Sequence, residues 1–205
     1  MREQSRVAIA ICGAVLIIGL AGPATAGSPR EHDGFFLRLS AGAGAANTEL
    51  DIPGAKTELD GGSGDINIAI GGIVARNLAI HGTLFGWLVS DPDVTIEGLG
   101  SGTAENTDLD LSAFGGGLTY YFMPVNIYIS GSAGAGQLTV DTPAGEADTK
   151  NGFVGEITLG KEWWVGGSWG LGVAGAFGFH SIPDKDVDED WKGTSFAIRF
   201  SATLN

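Results

Sequence analysis

Cysteine is nearly absent from this chain of 205 residues: the single example, Cys12, lies in an apolar run near the N-terminus. The rest of the sequence therefore offers no disulfide, no thiolate nucleophile and no cysteine-ligated metal. Basic residues are scarce as well, 11 against 24 acidic ones, for a formal net charge of −13. That balance argues against nucleic acid as a partner, because binding phosphates needs clustered Lys and Arg. Glycine is abundant, with 35 residues, yet there is no Gly-X-Y period, which excludes a collagen-like chain. No glycine-rich loop has the lysine and strand–helix setting of a phosphate cradle, and no cofactor is expected.

Residues 1–26 have the pattern of a cleavable export signal. Arg2 and Arg6 precede an apolar run from Val7 to Leu20, and Ala24-Thr25-Ala26 places small residues where cleavage occurs, predicting Gly27 as the mature N-terminus. The run is shorter than the roughly 20 residues of a spanning helix, which argues against an anchor. Ala10 and Ile11 do not form a lipoprotein site ahead of Cys12, so lipidation is not expected. The remaining 179 residues, with nine basic and 23 acidic side chains, are enough for one domain, 27–205.

What the chain does have is alternation. In the closing segment GTSFAIRFSATLN, Phe196, Ile198, Phe200, Ala202 and Leu204 share one face, and Ser195, Arg199, Ser201 and Thr203 the other. Seven earlier stretches are comparable, at about 34–46, 64–75, 77–89, 109–122, 125–140, 151–160 and 163–180. In the first, Phe35, Leu37, Leu39 and Ala41 oppose Arg38 and Ser40. In the second, Ile66, Ile68 and Ile70 oppose Asp65 and Asn67. The fourth is less regular, since Leu109 and Leu111 lie opposite Phe114, Leu118 and Tyr120. The connections alternate in length: 47–62, 90–108, 141–148 and 181–190 are long, whereas Arg76-Asn77, the turn at Pro124 and Lys161-Glu162 are short. Short turns on one side and long loops on the other are the mark of an up-and-down membrane barrel. The expected fold is all-β, an eight-stranded antiparallel up-and-down transmembrane β-barrel, closed by pairing the first strand with the eighth so that no edge faces lipid.

An exported soluble sandwich or ligand-binding barrel would also alternate. Arg38, Glu156 and Arg199 weigh against it, because each lies opposite an apolar stripe and suits the interior of a membrane barrel. Trp87, Trp163, Trp164, Trp191, Tyr120, Tyr121 and Phe122 fall near segment ends, where a membrane protein carries its aromatic girdles.

The signal, the opening GFFLRLSAGAGAA (34–46), the internal GKEWWVGGSWGLGVAGAF (160–177) and the closing SFAIRFSATLN (195–205) together resemble the small eight-stranded outer-membrane β-barrel protein family of Gram-negative bacteria. The resemblance implies a cell outer membrane location, contact with outer-membrane lipids and insertion by the outer-membrane assembly machinery. It leaves pore, adhesion and structural roles open. Leu204-Asn205 departs from the aromatic terminus usual in that family.

Eight strands enclose a narrow lumen that side chains can fill. Arg38, Glu156 and Arg199 are predicted to form a charge network there, with Arg38 and Arg199 on strands that closure makes neighbours and Glu156 facing them across the lumen. His81 is the one isolated catalytic suspect, but Thr83, two residues along a strand, is about 6–7 Å away, too far for a nucleophile–base pair. No catalytic residues are assigned and no enzyme is expected. The loop SIPDKDVDED carries Asp184, Asp186, Asp188, Glu189 and Asp190 but lacks the glycine and terminal glutamate of a calcium loop, so no metal site is assigned. The leading expectation is a structural or surface-interaction barrel with a largely packed lumen and an unknown surface partner. The alternative is a narrow channel or transporter for small molecules, hydrophobic ones among them.

Overall fold

The computed structural model describes residues 32–204, so the predicted signal and Gly27 lie outside the described residues. Eleven strands follow one another: β1 Phe35–Ile52, β2 Ala55–Ala75, β3 Leu78–Ser90, β4 Asp93–Ile96, β5 Gly100–Thr103, β6 Asp108–Phe122, β7 Ile127–Thr142, β8 Gly145–Asp148, β9 Gly152–Trp164, β10 Trp169–Pro183 and β11 Asp190–Leu204. Eight of them close a ring in the order β1-β2-β3-β6-β7-β9-β10-β11, with every neighbour antiparallel. The seam pairs β1 with β11 from Leu37↔Leu204 to Glu49↔Lys192. Closure leaves the eight-stranded ring without an edge, which lipid would not tolerate.

The period-two pattern becomes an inside and an outside. Phe35, Leu39, Ile68, Ile70, Ile80, Leu84, Phe114, Leu118, Ile129, Leu159, Val173, Ile198 and Phe200 all point outward and are exposed. A continuous apolar belt of this kind is far larger than a water-exposed surface carries, and its natural solvent is hydrocarbon. At the short-turn end, Tyr120, Phe122, Trp163 and Trp169 face outward as an aromatic girdle. The short turns use left-handed backbone at Asn77 (φ 59°) and Asn126 (φ 53°), a conformation that asparagine tolerates.

Three expectations need correction. Trp87 (6% exposed) and Tyr121 (0%) point into the lumen and Trp191 packs against the apolar cluster at its loop end, so none of the three is a girdle residue. Leu109 and Leu111 also point inward, which explains the irregular fourth segment: they belong to an apolar layer inside the barrel. Residues 47–62 are not an irregular loop, because β1 and β2 continue through them and turn at Pro53-Gly54, where Gly54 has φ 91°. The third short turn is 165–168 and not Lys161-Glu162, both of which lie within β9. The other long connections also hold strand: β4 and β5 form a hairpin against β2, and β8 pairs with β7. At 18 and 21 residues, β1 and β2 exceed the roughly 9–11 residues of a tilted crossing, so their hairpin stands beyond the belt at the loop end.

Candidate functional site in the lumen

Inward positions form three layers. At the loop end an apolar roof joins Phe85, Trp87, Val89, Leu109, Leu111 and Leu138. At the short-turn end Phe36, Ala69, Ala79, Tyr121, Tyr128 and Ala174 form a second apolar layer. Charged and polar groups lie between and around these layers.

Arg199, on β11, is the hub of the middle layer. Its Nη1 donates to Glu156 Oε1 at 2.8 Å, its Nη2 to Glu156 Oε2, and its Nε to Asp65 Oδ1. Guanidinium thus clasps one carboxylate in a two-pronged pair and bridges to a second. Glu156 Oε1 also accepts from Asn67 Nδ2 (3.0 Å) and Thr158 Oγ1 (3.3 Å). These groups come from β2, β9 and β11, and all are buried. The inward backbone beside Arg199 is Gly42, its register partner on β1. A Cβ at Gly42 would collide with the Ile198 carbonyl, so the seam needs glycine there.

Arg38 stands apart from this hub. Its Nη2 donates to Ser130 Oγ at 3.0 Å, and its guanidinium carbon lies 4.6 Å from the centre of the Tyr128 ring. Ser130 Oγ shares a hydrogen bond with Thr119 Oγ1 (2.8 Å), which shares another with His81 Nε2 (3.0 Å). Thr119 across the sheet is therefore the partner of His81. Glu162 is the carboxylate of the short-turn half, accepting from Thr203 Oγ1 at 2.6 Å and Tyr121 OH at 3.4 Å. At the very end, His32 stacks on Tyr121 with ring centres 3.6 Å apart, and its Nε2 lies 2.7 Å from Asn126 Oδ1.

The geometry thus brings Glu156 and Arg199 together, adds Asp65, and gives Arg38 a hydroxyl and an aromatic partner. Asp65 carried a readable signal, since it shares its parity with Asn67 opposite Ile66 and Ile68. Glu162 was hidden by its reading as a turn. Two guanidiniums and three carboxylates are buried in this lumen, an arrangement suited to cross-bracing strands far apart in sequence.

The acidic loop is organised by its own backbone. Asp184 accepts from the N–H of Asp186 (2.7 Å) and from Trp191 Nε1 (2.8 Å). Partial burial opposes ionisation of Asp184, but those donors, the Val187 N–H and the nearby Lys150 charge hold its carboxyl below the ordinary range. Among the described residues no group of three or more His, Cys, Asp or Glu side chains is placed to hold a metal. Asp110, on the outer surface beyond the belt, is pushed up to about 6 by burial and by its neighbours Glu146, Asp148, Asp108 and Asp141.

No family model matches the chain, and no curated protein matches it in sequence. Solved structures do match in shape. Neisserial surface protein A superposes with a TM-score of 0.52 at 14% identity, covering 85% of this chain and 99% of that one. The chain has the eight-stranded small outer-membrane β-barrel fold. Two further barrels superpose less closely: the outer membrane protein OprG from Pseudomonas aeruginosa (TM-score 0.48, 14% identity, 87% and 100% covered) and the outer membrane protein AlkL in lipid bilayers (0.46, 16%, 89% and 95%). In this chain the barrel presents its apolar belt to lipid and holds Arg38, Asp65, Glu156, Glu162 and Arg199 within.

Proposed function

We propose that this barrel is a non-enzymatic structural or surface-interaction protein of the outer membrane. Its four loop-end connections face outside and its short turns face the periplasm. The observation that carries the reading is the filled lumen. Between roof and hub, the space lined by Asp65, Phe85, Trp87, Leu111, Val154 and Glu156 is only about 10 Å³, scarcely the room of one water. A solute path would have to unpack aromatic side chains and break the Arg199 clasp together. Insertion by the outer-membrane assembly machinery belongs to the same proposal, supported by the amphipathic closing strand that completes the ring. A surface partner would meet the acidic loop end.

Two measurements test the reading. Fractionation should recover the chain with the outer membrane, and a soluble periplasmic product would overturn the location. Reconstituted in a planar bilayer, the barrel should give no stepwise conductance; reproducible open-channel steps would replace the packed-lumen role with transport.

A further inference from the structure

Above the apolar roof, the loop end holds a cup that the lumen network does not use. Its volume is about 140 Å³, close to the roughly 150 Å³ of an apolar cavity known to admit benzene. Leu59, Leu109, Leu138, Val140 and the Trp191 indole form its walls and floor. Its rim carries Asp148, Asp184 and Asp186, with Lys185 the only cation among the lining residues. Lys185 Nζ sits 3.7 Å from Asp148 Oδ2 and Lys150 lies near Asp184, so two of the three carboxylates are partly offset and the rim keeps a net negative charge. The cup is shaped by the β1–β2 hairpin, the loop-end parts of β6 and β7, β8, the loop before β11 and the start of β11, and is closed below by the roof.

We propose that this cup is a binding site for a small organic cation, an ammonium group on a phenyl-sized or short alkyl body. The body would fill the apolar floor, and the ammonium would lie among the rim carboxylates. Two features favour that class. Apolar walls select for a hydrocarbon body by removing it from water. An indole beside carboxylates attracts a cation through both ring face and charge, whereas an anion of the same shape meets repulsion. Asp184 is fixed in place by Trp191 Nε1, so carboxylate and indole are presented together. The floor is sealed, so the cup is a place of capture and not an entrance. The inference rests on that sealed floor, which the conductance measurement tests separately.

The test uses the processed chain in nanodiscs of zwitterionic lipid, with empty nanodiscs as blank and phenethylammonium as probe. Saturable shifts of the Trp191 indole signal are expected, with a dissociation constant on the order of 1 mM. Phenylacetate, similar in size but opposite in charge, should bind at least about tenfold more weakly. Ala147→Trp, at the cup wall, should abolish the shift. Asp148→Asn with Asp186→Asn should weaken phenethylammonium about tenfold while leaving neutral 2-phenylethanol unchanged. Both variants are first shown to fold by retention of the compact, heat-shiftable band on gels. Equal binding of phenylacetate, binding that survives Ala147→Trp, or no saturable shift at about 10 mM probe would each overturn the proposal.

Discussion

Replacing Arg199 with methionine should expose how much the lumen depends on its hub. Methionine keeps much of the side-chain volume but leaves Glu156 and Asp65 facing each other without a cation. Removing one partner of a buried ion pair costs about 3–5 kcal/mol, because the remaining charge is stranded. Here two carboxylates are stranded, although Asn67 and Thr158 still donate to Glu156, so about 4 kcal/mol is expected. That is nearly a thousandfold in the folding equilibrium, at tenfold for each 1.4 kcal/mol. The triple change Asp65→Asn, Glu156→Gln, Arg199→Met removes the stranded charges and should recover most of the loss, since replacing a whole buried ionic group is often close to neutral. Urea titration in lipid vesicles, followed by tryptophan fluorescence and by the heat-shifted gel band, measures both. A loss below about 1 kcal/mol for Arg199→Met, or a triple variant as weak as the single one, would refute the reasoning.

Gly42→Ala forces a methyl against the Ile198 carbonyl at the seam and should cost about 1–3 kcal/mol in the same titration. Gly64→Ala, which meets nothing within 4 Å, should change stability by less than about 0.5 kcal/mol. Phe200, 72% exposed on the belt, should tolerate Leu but lose about 2–4 kcal/mol as Arg, the cost of a cation on a barrel's lipid face near midplane; a neutral result would argue that this face meets water. Asp110 should titrate near pH 6 by carbon NMR, above its ordinary 3.8. Because the folded carboxyl holds its proton longer than the unfolded one, stability from this group falls as pH rises from about 4 to about 6. Asp110→Asn should remove that part of the slope, and Asp148→Asn should lower the midpoint.

Much of the barrel was readable because lipid enforces parity. On β2, β11 and the first half of β3 the outward residues are the large apolar ones, and the inward ones are small or polar. Parity failed where the lumen itself is apolar. Trp87, Leu109, Leu111 and Tyr121 have the chemistry of outward residues, and only the opposing walls reveal that they fill the two ends of the barrel. It failed again past the belt, where Glu49, Asp51, Glu58 and Asp60 take the outward face of β1 and β2 and only Leu50, Ile52 and Leu59 remain as large apolar residues, although Pro53-Gly54 marks the turn. At β9 the charged pair Lys161-Glu162 imitated a turn, while the glycines of 165–168 supplied the real one. The hub was only half legible. The parities of Asp65, Glu156 and Arg199 say that all three point inward, but their separations of 43 and 134 residues from Arg199 meet only through the tilt and stagger of a closed ring.

The placement of Arg199 on the last strand gives the hub a role in the order of assembly. Until β11 docks, Asp65 and Glu156 sit on opposite flanks of an open sheet with no guanidinium between them. An unclosed ring therefore carries two disfavoured charges as well as two bare edges, and both are relieved in the same step. The final docking is made steeply cooperative, and a chain cut short of Arg199 would lose the reward for closing and not simply one strand.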